Sequence, residues 1–555
     1  MAARSIDALN THESNYLCSR VSPVAGFVKI QRPSLAAAIT VLCVAWLLFA
    51  GGQAVAADGD GGHMIYNLDC TEFFMGSFGP PVPETIDKFV DAHAAAGVTH
   101  LFINGNAQCT SYRSDVWDAY WDGYDPSLGT DQPFFAGIPA GRIAGPDAND
   151  SHWFIAMHNL HFGGCDYLER MLQRARHNKI GAWVSMRMND GHHGRYPDHP
   201  SHSNIWKSNP DWRLPYGLDY EQPEVREHHL KLVRELCSRY DIDGIELDFL
   251  RFWLYFRPGR EHHGTALMMD FMQQARAATR DAEKRLGHPV QLAVRVPGVP
   301  WIARRHGLDA AAWGRAGLVD MIIAGAFWHS SNSDMPIETW KGLLADTDVE
   351  IVTGLGDALD SGASGRRTLT HEEMRGIWTS GLHRGADGVY TFNLFTGPFH
   401  RWPREDYYRL LTDAGSYATL SAGPRRHPLT IISPYSAGAS SAARSLPYTG
   451  THGQFRLHIG PRPTTAQEAK IEIVVTESDQ PLDVQLNGVP CTWDGLVAPA
   501  HIQASGWSDD GLGERQAYTV PPDAISDGYN LVDIVSQQDV VIKWVEISIQ
   551  SREAP

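Results

Sequence analysis

The sequence is poor in several features that would each point to a particular class of function. Cysteine is scarce, 7 in 555 residues, and no two form a CxxC pair, so a structural zinc site is not indicated. Cys18 and Cys43 fall in an N-terminal leader, which leaves Cys70, Cys109, Cys165, Cys237 and Cys491. Cys70 and Cys109 lie just past the first two predicted strands and are placed to meet as a disulfide in an exported chain, whereas Cys237 sits on an apolar helix face as inert core. Positive charge is in deficit: 47 Lys and Arg stand against 64 Asp and Glu, a net charge of -17. Such a surface repels phosphate backbones, which excludes nucleic acid as a partner. Beyond the leader no run is long and apolar enough to cross a bilayer, so no stable membrane insertion is expected once the leader is removed. A glycine-rich phosphate loop is also missing, because Cys70-Thr71-Glu72-Phe73 follows the first predicted strand. That argues against an open doubly wound sheet. No long internal repeat is visible.

What is present describes a large folded protein. The chain is 43% hydrophobic and 20% charged, which predicts a sizeable core. Its 17 Trp, 19 Tyr and 20 Phe suit either that core or the apolar faces of sugars. Residues 1–56 read as a secretory signal peptide: Lys29 and Arg32 precede the apolar run Leu35–Ala50, and small residues end it at Ala54-Val55-Ala56. Cleavage near Ala56 implies a secreted or periplasmic protein.

From His63 to Ala418, β-rich runs alternate with helical ones. The strand candidates are His63–Asp69, Val98–Asn104, Ile180–Arg187, Asp243–Phe249, Pro289–Val296, Val319–Ala326, Glu350–Gly354 and Gly388–Asn393. Helices are predicted at Pro83–Gly97, Glu224–Tyr240, Thr265–Leu286, Ile337–Ala345, His371–Arg384 and Arg404–Ala418. This order predicts an α/β fold, a (β/α)8 TIM barrel, over residues 57–422. Insertions at Asn106–Gly164 and Asn189–Glu221 leave from C-terminal strand ends, where barrels build active sites. Trp117, Tyr120, Trp121, Tyr124 and Trp153 in the first insertion either wall a cleft or pack on one another. Residues 423–454, with the Ala/Ser-rich Ser436–Arg444, read as a linker. Residues 455–555 read as a C-terminal all-β sandwich with strands at Phe455–Leu457, Lys470–Val475, Leu482–Leu486, Tyr529–Val535 and Val540–Ile549. Trp493 and Trp507 are its candidate binding platforms.

The most informative stretch is Asp243-Gly244-Ile245-Glu246-Leu247-Asp248-Phe249-Leu250-Arg251-Phe252. Alternate residues of a strand share a face, so Ile245, Leu247 and Phe249 point to the outer helices while Glu246 and Asp248 point into the barrel. Carboxylates there are costly unless paired or used. Arg187 and Arg295, near the ends of neighbouring strands, are the expected partners, and Asp248 lies nearer the C-terminal mouth.

This stretch resembles the fourth-strand motif of family-10-like glycosyl hydrolases, exported (β/α)8 barrels with a typical Asp-Gly-Ile-His-Leu-Asp-Tyr-x-x-Tyr-Pro segment. The motif's aspartate corresponds to Asp248; the chain departs at Glu246, where the family often has His, and lacks the final proline. The stretch is also similar to the Asp-Gly-x-Asp-x-Asp-x-Glu signature of family 18 chitinases, but the final acid of that pattern falls on Leu250. The resemblance implies a glycoside hydrolase acting on a carbohydrate substrate.

Glycoside hydrolysis needs two carboxyl groups flanking the scissile bond. The catalytic candidates are Asp248 as nucleophile or charge stabiliser, Glu246, and Asp190 and Asp357 at other strand ends, with Asp69 and Glu72 at the end of the first strand. Asn104, Arg187, Asn189, Arg295, Trp328, His329 and Asn393 are candidate ligands for sugar hydroxyls, with the two arginines suited to a uronic or sulfated glycan. His192, His193, His199 and His202 cluster with Asp190 and Asp198, yet their spacing matches no defined ligand pattern, so neither metal nor cofactor is expected. The alternatives are a non-catalytic glycan-binding barrel and a metal-dependent hydrolase or deacetylase built on the histidine loop.

Overall fold

In the computed structural model the described residues are 62–552 except 77, 144–148, 327–330, 361–365, 395–403, 431–445, 477–479 and 499–511. The leader, Ser436–Arg444 and Trp507 therefore lie outside the described residues, as do Trp328 and His329. Eight parallel strands close into a barrel: β1 (His63–Leu68), β2 (His100–Asn106), β3 (Gly181–Arg187), β4 (Gly244–Asp248), β5 (Gln291–Pro297), β6 (Met321–Gly325), β7 (Glu350–Gly356) and β8 (Gly388–Phe392). The helices α1 (Pro83–Ala95), α2 (Tyr167–His177), α3 (Pro223–Arg239), α4 (Glu261–Leu286), α5 (Ala310–Arg315), α6 (Ile337–Leu343), α7 (His371–His383) and α8 (Arg404–Ala414) follow them in turn. Among the described residues no helix is long and apolar enough to cross a membrane.

Period-2 alternation separates two cores. Ile245, Leu247 and Phe249 join the outer layer between strands and helices. Inside, Ile65, Phe102, Trp183, Ala293, Met321, Ile323, Val352, Tyr390 and Phe392 fill the barrel. Phe102 stacks on Trp183 at 4.6 Å between ring centroids. Gly244 explains the glycine of the β4 motif, since a Cβ there would stand 2.5 Å from the Trp183 ring. Above this floor the inward positions turn polar. Glu246 registers between Ser185 and Ala293, and Asp248 between Arg187 and Arg295.

The insertion after β2 packs on its own aromatics. Trp153 stacks on Phe154 at 3.7 Å, Tyr120 meets Trp153 edge-on at 4.8 Å, and Trp117 stacks on His228 at 4.1 Å. Tyr120, Trp121 and Trp153 are buried and build the insertion's core, whereas Trp117 packs on α3 and lines a small cavity with Asn189 and Asp190. The disulfide expectation is also corrected: Cys70 and Cys109 are free and buried, and the Cys109 thiol donates to the Ser201 carbonyl. Cys237 is buried, and burial pushes its thiol up to about 12, as suits inert core.

The C-terminal part is all-β: β9 (Arg425–Pro428), β10 (Tyr448–His458), β11 (Gln467–Thr476), β12 (Asp483–Leu486), β13 (Thr492–Val497), β14 (Arg515–Thr519) and β15 (Tyr529–Ser551). Two expectations change here. Residues 423–454 are not simply linker, because β9 and the start of β10 pair with β15. Tyr529–Val535 and Val540–Ile549 are one strand; the polar Ser536–Asp539 segment reads as a turn but is taken up where the register shifts opposite Gly450 and His452.

This domain is bound tightly to the barrel. A capping box, Thr370 with Glu373, starts α7, whose residues from Glu373 to Gly381 are all buried. Gly376 lets β9 come close: a Cβ there would lie 1.9 Å from the Arg426 carbonyl oxygen. Ser380 hydrogen-bonds His458 at 2.7 Å, and Asp334 accepts from Arg384, Arg456 and Tyr529 at 2.7, 2.6 and 2.9 Å.

Candidate active site

At the C-terminal mouth of the barrel, Asp69, Asp190 and Asp248 are buried beside the buried Arg187, Arg251 and Arg295. Asp248 ends β4 and accepts from Arg295 at 2.8 and 2.9 Å on its two oxygens. Its Oδ1 also takes the backbone N–H groups of Leu250 and Arg251 at 2.9 and 3.1 Å. The Arg295 guanidinium lies 3.7 Å from the centre of the Phe392 ring. Arg187 pairs elsewhere: it donates to Asp69 at 2.5 Å and stands 3.6 Å from Asp190. Of the expected Glu246/Asp248 pairing with Arg187 and Arg295, only the Asp248–Arg295 pair forms.

Asp69 caps the short helix Cys70–Phe74 and accepts from Thr71, so its carboxylate is positioned before Arg187 reaches it. Asn106 brackets the Arg187 backbone, donating to its carbonyl at 3.0 Å and accepting its N–H at 3.2 Å. His192 links the two halves of the cluster. Arg251 donates to its Nε2 at 2.9 Å, which leaves Nδ1 to donate to Asp190 at 2.8 Å.

The acids differ in protonation. Burial pushes the Asp69 carboxyl up, but Arg187, Arg251 and the Thr71 hydrogen bonds outweigh it and hold it at about 2. Burial likewise opposes ionisation of Asp190, yet His192, Arg187 and Arg251 bring it well below the usual carboxylate range. Arg251 itself is lowered to about 10 by burial and by Arg187. Glu246 goes the other way. Burial, then the neighbouring Asp248, push it up to about 8, so it carries a proton at neutral pH. Asn67 donates to its Oε2 at 3.1 Å. Ser185 and Tyr390 face it without closing a full hydrogen bond to Oε1.

Glu246 thus gives a pH dependence with a definite sign. Its folded value lies above the ordinary 4.5, so its contribution to stability is whole below that value and is lost as pH rises through about 8. Glu246→Gln, which mimics the protonated form, is expected to match the parent at pH 5 and to exceed it at pH 9 by a few kcal/mol, on the order set by a shift of this size. Thermal unfolding at the two pH values reads it, and a constant difference between them contradicts the assignment.

Other candidates fall outside the cluster or serve the backbone. Asn189 spends its amide on the Leu218 and Leu254 carbonyls and the Leu218 N–H, clamping the second insertion. Asn104 donates to the Asn106 and Ser185 carbonyls. Asp357 is buried just past β7, three strands round the barrel from β4. Asn393 follows β8 in the left-handed region at φ 54°. Its Oδ1, like that of Asn104 and the Tyr255 hydroxyl, is buried with no hydrogen-bond partner among the described residues.

The histidine loop is built by packing. His193 stacks on His199 and His202 on Trp206, both at 3.8 Å. His199 bonds Ser201 at 2.6 Å and His202 bonds Gln108 at 3.2 Å. Among the described residues no group of three or more His, Cys, Asp or Glu is arranged to hold a metal ion.

Asn67, Asn106 and Arg251 complete the site beyond the nominated set, which already held Asp69 and His192. Arg251 stands inside the β4 motif, and alternation from the inward Ile65 would have marked Asn67.

No family model and no curated protein matches the sequence. Among solved structures, the chain is similar to alpha-L-fucosidase isoenzyme 2 from Paenibacillus thiaminolyticus at 13% identity and TM-score 0.39, over 64% of this chain and 49% of that one. It therefore spans about half of the fucosidase. It is also similar to the PgaB (BpsB) glycoside hydrolase domain from Bordetella bronchiseptica, at 10% identity and TM-score 0.37, over 64% and 99% of the two chains. A noncanonic maltogenic alpha-amylase AmyB from Thermotoga neapolitana aligns at 10% identity and TM-score 0.33, over 85% and 98%. Likeness at this level transfers no activity.

Proposed function

We propose that the protein is an exported glycoside hydrolase that uses carboxyl groups of β4 on an O-glycosidic bond. The observation that carries this reading is the division of labour on one strand. Asp248 stands at the mouth, oriented by Arg295 and two backbone N–H groups. Glu246, one layer deeper, holds a proton at neutral pH. A carboxyl kept protonated by burial beside another acid is the kind of group that can serve as a proton donor.

In this mechanism the bond from the anomeric carbon to the leaving oxygen breaks as that oxygen takes up a proton, Asp248 attacks or stabilises positive charge at the carbon, and water adds there to release the sugar. Glu246 is the proton-bearing partner. Asp190 is held as an anion by His192 and two arginines, so it anchors the network and does not supply the proton. Arg187 and Arg295 already face carboxylates. The reacting unit is accordingly a neutral sugar.

Incubating the mature protein from Ala57 with a panel of polysaccharides tests this, read as new reducing ends. Release from at least one member, insensitive to chelator, is expected. Tight binding without release supports the glycan-binding barrel instead, and loss of activity with chelator supports the metal-dependent hydrolase.

A further inference from the structure

His192 reaches solvent where its neighbours in the charged cluster do not: its side chain is 33% exposed, against 3% for Asp190 and 1% for Asp248. It is nevertheless fixed. Asp190 Oδ1 accepts both the His192 backbone N–H at 3.0 Å and Nδ1 at 2.8 Å. Gly191 lets the next loop close over this turn, since a Cβ there would come within 2.5 Å of the Tyr216 backbone. The buried Phe252 meets the imidazole edge-on at 5.1 Å. With Nδ1 donating to Asp190, Nε2 keeps its lone pair, and Arg251 Nη2 donates to it at 2.9 Å.

Arg251 is engaged at both of its ends. Its side chain ends on His192, and its backbone N–H, with that of Leu250, ends on Asp248 Oδ1. Packing places Leu250, whose side chain would lie 2.9 Å from a Cβ on Gly325. The Arg251 guanidinium lies 5.6 and 5.7 Å from the centres of the Phe252 and Phe392 rings, and Asp69 and Asp190 attract its charge. Ring faces and charges at a distance hold a cation without orienting its N–H groups; a lone pair at 2.9 Å orients one of them. A neutral imidazole does this without cancelling the guanidinium's charge, which a carboxylate in its place would. We infer that His192 is a positioning residue for Asp248: its Nε2 lone pair sets the Arg251 side chain, and the Arg251 backbone N–H in turn sets the carboxylate for reaction. This rests on the glycosidase reading for the role of Asp248.

The test uses the full mature chain and three variants that separate the two nitrogens. His192→Gln puts an amide oxygen where Nε2 stood and can still accept from Arg251. His192→Asn reaches only as far as Nδ1, so it can donate to Asp190 but not accept from Arg251. His192→Ala does neither. On whichever of cellulose, chitin, xylan and starch the parent cleaves, the Asn and Ala variants are expected to lower kcat about tenfold or more with KM changed by less than about twofold, and the Gln variant to recover most of the loss. A Gln variant as slow as the Asn variant, or an Asn variant as fast as the Gln variant, overturns the assignment, because a residue that only ties its loop to Asp190 would be replaced better by Asn. Crystal structures of the same proteins read the arm without turnover. Asp248 is expected to keep the Arg251 N–H in the Gln variant and to lose it in the Asn variant; an Asp248 unmoved in the Asn variant overturns the proposal. A parent that cleaves none of the four substrates removes the hydrolase reading, while the structures still decide whether His192 places Asp248. The His192 side chain is one-third exposed, so its replacement leaves the core intact.

Discussion

If the proposed glycosidase reading holds, replacing Asp248 by asparagine cuts hydrolysis by about a thousandfold or more while the protein stays folded. The amide keeps the shape of the carboxylate, and its oxygen still accepts the N–H groups of Leu250 and Arg251 that hold the end of β4. What disappears is the negative charge beside the anomeric carbon and opposite Arg295. The arginine then faces a neutral group in a buried setting, so a drop of a few degrees in Tm accompanies the loss. Initial rates on the cleaved polysaccharide, with circular dichroism as the check on folding, measure both effects. Activity within tenfold of the parent would remove Asp248 from the reaction.

The second large effect concerns stability. Arg187→Met is expected to cost about 3–5 kcal/mol, because it strands the buried Asp69 carboxylate and takes a cation away from Asp190, which keeps His192. In the parent these groups lie below their ordinary values, so they contribute stability above the usual carboxylate range that is lost as pH falls toward about 2. The variant inverts part of this: its stranded acid gains by taking up a proton, and its deficit shrinks as pH drops from 7 to 5. Adding Asp69→Asn to Arg187→Met restores part of the loss, since the two residues are in contact. Denaturant unfolding of the three variants at both pH values checks the account, and a loss under about 1 kcal/mol for Arg187→Met would contradict it.

The barrel was legible because strand alternation is a local property. Ile245, Leu247 and Phe249 had to face one way and Glu246 and Asp248 the other, whatever surrounds them. The same rule applied to β1 points to Asn67 and Asp69. Pairings were less legible where partners are distant in sequence. Arg251 and His192 are 59 residues apart, and no spacing rule links them. Arg187 chose Asp69 over the acids of β4 because Asp69 is already fixed as a helix cap. The aromatics of the first insertion were ambiguous for another reason: a tryptophan lining a cleft and one filling a core have the same local sequence. Only tertiary packing, such as Trp153 flat on Phe154, separates them.

Helix α7 has a practical consequence for anyone dividing the gene. It is wrapped on all sides, by the barrel wall within and by β9 and β10 without. A protein cut after residue 422 would bare Gly376, Thr379 and Ser380 to water, and Asp334 would lose both its Arg456 and Tyr529 partners. Expression trials of the catalytic portion should carry the whole C-terminus, and a shortened version that misfolds would say nothing about the chemistry at the other end of the barrel.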